Sequence, residues 1–282
     1  MYKVVKREQL TENVVLMEVE APLVAKKCLP GQFIILRVNE QGERIPLTVA
    51  GYDREKGTVR IIYQIVGKTT QILSELKEGE AILDFVGPLG TPSHTEGIKK
   101  AAVIGGGLGC AIAYPQAKAL FDKGADVTMI AGFRSKDFVI LEDEMKKASN
   151  KLYIMSDDGS YGEHGLVTNK LEELLKAGEV FDTVIAIGPL IMMKFVCQLT
   201  KKYNVKTIVS MNPIMIDGTG MCGGCRLTVD GKTKFACVDG PDFDGHLVDF
   251  DEAIRRSRMY SSKEREAMEK HKCRLEGMNS GK

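Results

Sequence analysis

Ala101-Ala102-Val103-Ile104-Gly105-Gly106-Gly107-Leu108-Gly109-Cys110 is an apolar run that stops on glycines and passes into a helix-compatible stretch, Leu108 to Lys123. A buried strand that turns sharply into a helix reads this way, and the glycines let the backbone approach a dinucleotide pyrophosphate at the positive helix end. Cys110 stands where the strict G-x-G-x-x-G form has its third glycine. The texture repeats downstream, with strands expected at Val127 to Ala131, Leu152 to Met155, Val184 to Ile187 and Thr207 to Val209. Helices are expected between them at Leu141 to Ala148, Thr168 to Ala177 and Leu190 to Lys202. Five such strands predict a doubly wound α/β domain with a parallel sheet, over residues 98–210, whose ligand lies at the strand ends.

Upstream, residues 1–97 are short β-rich runs between Gly, Pro, Asn and Asp turns: Val14 to Val19, Phe33 to Val38, Leu47 to Val49, Thr58 to Ile65 and Ala81 to Val86. They predict a small antiparallel barrel. One helical phrase interrupts it, Thr69 to Leu76, with Thr69 or Thr70 as N-cap. Downstream, residues 211–250 hold a glycine and cysteine loop too short for an apolar core of its own, and residues 251–282 form a highly charged tail with helix-compatible spacing.

The 282 residues carry 39 Lys+Arg against 38 Asp+Glu, a net charge of +1 that gives no electrostatic reason to expect nucleic acid or an anionic membrane as partner. The N-terminus is charged and lacks a signal-peptide core, and the longest uncharged stretch, Ala101 to Ala117, is broken by glycines and a proline. A soluble cytoplasmic protein is the expectation. Of seven cysteines, Cys222, Cys225 and Cys237 cluster, which fits a metal or redox site better than secreted disulfides. Cys28, Cys110, Cys197 and Cys273 have no spaced partners and receive no function; His94, His164, His246 and His271 read as turn or surface residues.

The spacing Asp217-x4-Cys222-x2-Cys225-x11-Cys237 overlays the C-x4-C-x2-C…C arrangement that holds a plant-type [2Fe-2S] cluster, with aspartate in the first place. Glycines 218, 220, 223 and 224 give a loop that wraps a cluster its backbone freedom. The same residues also allow zinc on the three cysteines with His246, a Cys222–Cys225 dithiol, or free thiols. Ser156-Asp157-Asp158-Gly159, after the third parallel strand, places carboxylates where they bond an adenosine ribose diol and repel a 2′-phosphate, or forms an ordinary acidic turn. Arg44-Ile45-Pro46-Leu47-Thr48 and Gly67-Lys68-Thr69-Thr70 suit a flavin ring edge and its pyrophosphate, and equally a proline-bearing edge strand and a plain helix cap.

In order, Pro30-Gly31-Gln32-Phe33, Arg44 to Thr48, Gly87-Pro88-Leu89-Gly90, the glycine loop and the cysteine loop resemble the ferredoxin-NADP reductase superfamily over about residues 2 to 250. The terminal cluster loop is similar to the dihydroorotate dehydrogenase electron-transfer-subunit group, and Asp217 in the first ligand place to the small-subunit type of the NADH-dependent reduced ferredoxin:NADP oxidoreductases. The resemblance implies FAD at Arg44, Pro46, Leu47, Thr48, Gln64, Ile65, Val66, Gly67, Thr69, Thr70 and Asn212, with Pro213 beside it. It implies NAD(H) at Gly105, Gly106, Gly107, Leu108, Gly109, Arg134, Asp157, Asp158, Gly188 and Pro189, and iron on Asp217, Cys222, Cys225 and Cys237. The family arginine stands three residues before the strand hydroxyl; here Ile45 has that place and Arg44 lies one further back.

The resemblance further implies an oxidoreductase subunit that passes electrons between NAD(H), FAD and a [2Fe-2S] cluster and pairs with a larger flavoprotein/iron–sulfur subunit, through which ferredoxin is reached indirectly. The absence of an evident His/Asp base or Ser nucleophile is expected, since cofactors carry such chemistry. An electron-transfer subunit for dihydroorotate dehydrogenase or a sulfide/polysulfide reductase is the nearest alternative. A zinc-stabilised nucleotide-binding sensor is the alternative of another class.

Overall fold

The computed structural model describes residues 1–279 of the chain, with side chains over residues 1–271. The charged tail's last three residues and the Cys273 side chain therefore lie outside the described part.

The first part of the chain forms β1 (Tyr2–Thr11), β2 (Val14–Glu20), α1 (Pro22–Lys27), β3 (Phe33–Arg37), β4 (Ile45–Asp53), β5 (Thr58–Gln64), α2 (Lys68–Glu75), β6 (Ala81–Ile82) and β7 (Asp84–Leu89). The strands make one antiparallel sheet, in the order β6-β1-β2-β5-β4-β3-β7, which curls into a nearly closed barrel. Val15, Met17, Val19, Ile34, Leu36, Ile61 and Tyr63 fill its interior. The expectation of a single helix here is corrected: α1 is a second one, with Pro22 in its first turn, where a missing N–H costs nothing. Its six residues are too few to show a helical period. The long first strand β1 also escaped the sequence reading, because its burial pattern is mostly exposed or half-exposed.

The second part runs β8 (Lys100–Gly106), α3 (Gly109–Asp122), β9 (Asp126–Phe133), α4 (Glu142–Lys147), β10 (Lys151–Ser156), β11 (Glu163–His164), α5 (Val167–Lys176), β12 (Thr183–Ile187), α6 (Leu190–Lys202) and β13 (Thr207–Ser210). The five expected strands are parallel, as β8, β9 and β12, buried on both faces, require. The sheet is wider than five, because short β11 extends one edge and a strand from further along the chain extends the other.

That strand belongs to the last part, β14 (Arg226–Val229), β15 (Lys232–Phe235), β16 (Asp242–Asp244), α7 (Phe250–Ser257) and α8 (Ser261–Asn279). β16 pairs antiparallel with β13, Ser210 opposite Asp242, giving the order β11-β10-β9-β8-β12-β13-β16. The cysteine loop has no core of its own, as its length predicts. Instead Cys225, Leu227, Ala236, Cys237 and Phe243 share one apolar cluster with Phe33 and Ile35 of the barrel and Val209 and Met211 of the nucleotide sheet. Among the described residues no helix is long and apolar enough to cross a membrane.

Candidate flavin and nucleotide cleft with an adjoining cluster loop

The chain leaves β8 toward β9 and later returns to β12 on β8's other side, so the carboxyl ends of β8 and β12 part at a topological switch point. The glycine turn Gly105–Gly109 and the Gly188–Pro189 turn meet there. An added Cβ at Gly109 would lie 2.2 Å from the Ile187 carbonyl oxygen and 2.8 Å from Gly188 Cα, and one at Gly106 3.1 Å from Pro189 Cδ, so the two turns approach this closely because Gly109 has no side chain. Gly107 adopts a positive φ of 55° and has open space before it, which leaves room for a ligand against the backbone. Cys110, fully buried, packs its sulfur against Gly105, which explains a small thiol in the third glycine's place.

A cleft of about 470 Å³ lies between this turn and the barrel. Pro46, Thr48 and Gln64 form its barrel wall, Gly106, Gly107, Leu108, Gly109, Arg134, Gly188 and Pro189 the opposite wall, and Asn212 and Pro213 its end. Alternation along β4 explains why Leu47 is not among them: Pro46 and Thr48 face the cleft, while Leu47 packs on the barrel core. Residues that the sequence assigned to no cofactor complete the lining, including Asn13 in the β1–β2 turn, Phe33, Ile140, Met211, Met215 and Pro241. Apolar side chains that line a cleft carry no sequence signal separating them from core.

Several expected residues lie outside this cleft. Gly105 is the penultimate residue of β8, paired with Ala131 in the sheet. Ile65, Val66 and Gly67 form the approach to α2 and Thr69 and Thr70 lie in its first turn, where Thr70 Oγ1 accepts from the Val66 and Gly67 N–H groups at 3.0 and 3.1 Å and Thr69 Oγ1 donates to Glu43 Oε2. Both hydroxyls are engaged, so the unpaired N–H groups of the first helical turn are what α2 offers an anion. Arg44 turns the other way: its Nε donates to the Ile216 carbonyl at 2.8 Å; the Thr219 N–H, then Cys222 and last the Arg44 charge, hold the Asp217 carboxyl below the usual carboxylate range. In this structure it ties the barrel to the cysteine loop. Asp157 and Asp158 are exposed at the end of β10. Asp158 Oδ1 accepts from the hydroxyl and N–H of Ser160, bonds that lower its pKa, so this residue makes the turn as well as carrying charge.

In the cysteine loop the four candidate ligands fall into two pairs. Cys225 and Cys237, both buried, have sulfurs 3.2 Å apart. Asp217 and Cys222 form the other pair on the rim: Asp217 Oδ2 accepts from Cys222 N–H and Oδ1 from Thr219 N–H, each at 2.8 Å, while the exposed Cys222 sulfur accepts from Gly224 N–H. Among the described residues no three His, Cys, Asp or Glu side chains converge on one point as a mononuclear metal site would require. Two two-ligand halves suit a two-iron cluster, whose irons each take two protein ligands, better than a single tetrahedral zinc. His246, the fourth ligand of the zinc alternative, is engaged elsewhere, its Nε2 3.0 Å from Thr200 Oγ1. Burial, and then the neighbouring Cys225 sulfur, push the Cys237 thiol up to about 12, so a bound cation is what would hold it as a thiolate. Gly218, at φ +79°, sits where a side chain would strike Leu89 and Ile35, and so seats the loop directly on the barrel.

Barrel, switch-point cleft and cysteine loop define a flavin-dependent oxidoreductase that carries an iron–sulfur module. Residues 1–94 match the oxidoreductase FAD-binding domain, and residues 212–249 match the iron-sulfur cluster binding domain of dihydroorotate dehydrogenase B. The chain is 47% identical over 268 residues to a Thermotoga maritima protein described as a homolog of the dihydroorotate dehydrogenase B (NAD(+)) electron transfer subunit, covering 95% of this chain and 94% of that one. It is 52% identical over 275 residues to an uncharacterized protein from the adh 3′ region of Clostridium beijerinckii, covering 95% and 93%. A solved structure of NADH-dependent reduced ferredoxin-NADP oxidoreductase, described in connection with flavin-based electron bifurcation, superposes with a TM-score of 0.91 at 46% identity, covering 96% of this chain and 98% of that chain. The chain belongs to the family of dihydroorotate dehydrogenase B electron transfer subunits and their homologues.

Proposed function

We propose that this chain is the electron-transfer subunit of an NADH-dependent reduced ferredoxin:NADP oxidoreductase, joined to a larger flavoprotein/iron–sulfur subunit that handles ferredoxin and the second nucleotide. The observation that carries the reading is one cleft lined both by the β4 residues Pro46 and Thr48 and by the glycine turn after β8, with Asn212, Pro213 and Met215, which lead into the paired cysteine loop, also in its lining. FAD bound there supplies conversion between hydride exchange with a nicotinamide and single-electron exchange with an iron–sulfur centre.

The chain's own residues position the exchange. Thr48 offers a hydroxyl, and Gln64 an amide, to the polar edge of a flavin. The first turn of α2 and the N-terminus of α3 each present backbone N–H groups to a pyrophosphate. Phe33, Ile140 and Met211 keep water from the space between the two walls. Asp217 and Cys222 as one pair, and Cys225 and Cys237 as the other, would hold a [2Fe-2S] cluster, which would supply single-electron exchange.

Anaerobic absorption with iron, sulfide and flavin quantitation tests both cofactors together; colourless protein containing zinc and neither iron nor acid-labile sulfide would sink the reading. Purification with its native partner separates the two family activities. A partner bearing [4Fe-4S] clusters and FAD fits the proposal, whereas an FMN barrel subunit would assign the chain to dihydroorotate oxidation instead. Nucleotide preference is a further expected result. With exposed carboxylates at Asp157 and Asp158 opposing a 2′-phosphate, diaphorase kcat/KM for NADH should exceed that for NADPH by at least about tenfold, a difference of roughly 1.4 kcal/mol. Comparable rates with the two nucleotides would remove these residues from the site.

A further inference from the structure

One carboxyl group lies where the three parts of the chain meet, and the cofactor sites do not use it. Asp242, on β16, accepts at Oδ2 from Ser93 Oγ at 2.5 Å and from Gln116 Nε2 at 3.3 Å, and faces Ser210 across the β13–β16 pairing. Ser93 lies in the connector after β7, Gln116 on α3 and Ser210 at the end of β13. The connector is fitted to this place. Ser93 N–H donates to the Pro30 carbonyl, a side chain at Gly31 would come within 1.9 Å of Ser93 Oγ, and Thr91 N–H donates to the Gly240 carbonyl at 2.7 Å. The Pro30-Gly31-Gln32-Phe33 motif thus seats the connector, with Gln32 Nε2 donating to the Gly90 carbonyl.

The remaining oxygens are unbalanced. Asp242 Oδ1 and Gln116 Oε1 are both shut off from solvent, and neither has a hydrogen-bond partner. As a carboxylate, Asp242 would carry a buried charge with one oxygen unpaired, an expensive arrangement. A proton turns that oxygen into a donor. No charge nearby favours the ionised form: no lysine, arginine or histidine acts on the group, and burial, the largest influence, moves its titration upward against the hydrogen bonds from Ser93, Ser210 and Gln116.

We propose that Asp242, as a neutral carboxylic acid, is the positioning residue that locks barrel, nucleotide domain and cluster module into one body and so fixes the cleft between them. Ser210, opposite it on β13, Met211 next along the chain from Ser210, and Pro241, which precedes Asp242, all line that cleft. The inference rests on the reading of the cleft as the flavin and nucleotide site. The sign of its pH dependence is fixed: a carboxyl titrating higher when folded than when unfolded contributes stability at low pH, and that contribution is lost as pH rises through the folded-state titration.

The test uses the purified full chain with FAD and cluster in place, as wild type, Asp242→Asn and Asp242→Ala. At about pH 7 the Asn variant, whose amide can supply the missing donor, should keep the wild-type melting temperature and FAD retention. The Ala variant should release FAD about tenfold more readily and melt earlier, because Ser93 and Gln116 lose their acceptor. Infrared difference spectra of wild type against Asp242→Asn should show a protonated carboxyl at that pH. A carboxylate signature, or an Asn variant as impaired as the Ala variant, would overturn the proposal. Failure of the wild type to bind FAD would overturn the cleft reading instead, and the melting and infrared comparisons would still decide the state and role of Asp242.

Discussion

Cys237→Ser is expected to strip iron and acid-labile sulfide from the protein while the flavin stays bound. Cys237 is buried, 3.2 Å from the Cys225 sulfur, on the segment after β15 that packs into the shared apolar cluster. Serine would offer iron a hard, protonated oxygen in place of a soft thiolate. Loss of a partner that merely orients a ligand already costs about 10- to 100-fold in metal affinity, and loss of a ligand itself costs more. Cluster content should therefore fall by more than about tenfold. The barrel side of the cleft contains none of the cysteine loop, so the flavin-to-protein ratio should not change. Met221→Ser, at the exposed tip of the same loop, serves as control and should retain full iron content. Asp217→Ala should fall between them, because it removes one candidate ligand and also the acceptor that folds the loop onto the Thr219 and Cys222 amides. Iron content and the electron paramagnetic resonance spectrum of the three variants are the measurements, and a Cys237→Ser protein with unaltered iron would show that the cluster is held elsewhere.

The parts that were legible in the sequence are those where physics leaves few choices. A strand covered on both faces must be apolar throughout, so β8, β9 and β12 announce themselves. The glycine turn is legible because any side chain at Gly109 would run into the backbone of the β12 turn. Cysteine spacing is legible because ligand geometry fixes it. By contrast, β16 reads Asp-Phe-Asp and has no period to detect; it is a strand only because β13 offers an open edge beside it. Arg44 shows the limit at a site. Its neighbourhood suggests a phosphate contact, but the strand register and the approach of the cysteine loop place the Ile216 carbonyl within its reach. Tertiary proximity across so much chain is invisible to a reading of local pattern, and the Asp242 junction, assembled from four separate segments, escaped for the same reason.

Gly109→Ala is expected to abolish most nucleotide-dependent turnover without loss of flavin. The glycine opens α3, and its φ is not unusual, so the effect expected is purely steric. A Cβ at this position would stand 2.2 Å from the Ile187 carbonyl oxygen and 2.8 Å from Gly188 Cα, and these are backbone atoms at the end of a central strand that cannot rotate away. The helix N-terminus must move instead, which displaces the N–H groups that face the cleft and opens the contact between the two turns. Overpacking of this kind costs roughly 1–3 kcal/mol in stability. A displacement of about 1 Å at a positioning element costs on the order of 100-fold in rate, so kcat/KM for NADH in a diaphorase assay should drop by about that factor. Gly107→Ala provides the contrast. Open space surrounds that position, and the expected penalty is the roughly 1–2 kcal/mol of holding an alanine at positive φ, with a smaller effect on NADH. Because Pro46, Thr48 and Gln64 lie on the barrel, FAD content should match wild type in both variants, which separates nucleotide binding from general unfolding. Unchanged NADH kinetics in Gly109→Ala would mean that the nucleotide does not rest on the α3 N-terminus and would remove the switch-point cleft from the mechanism.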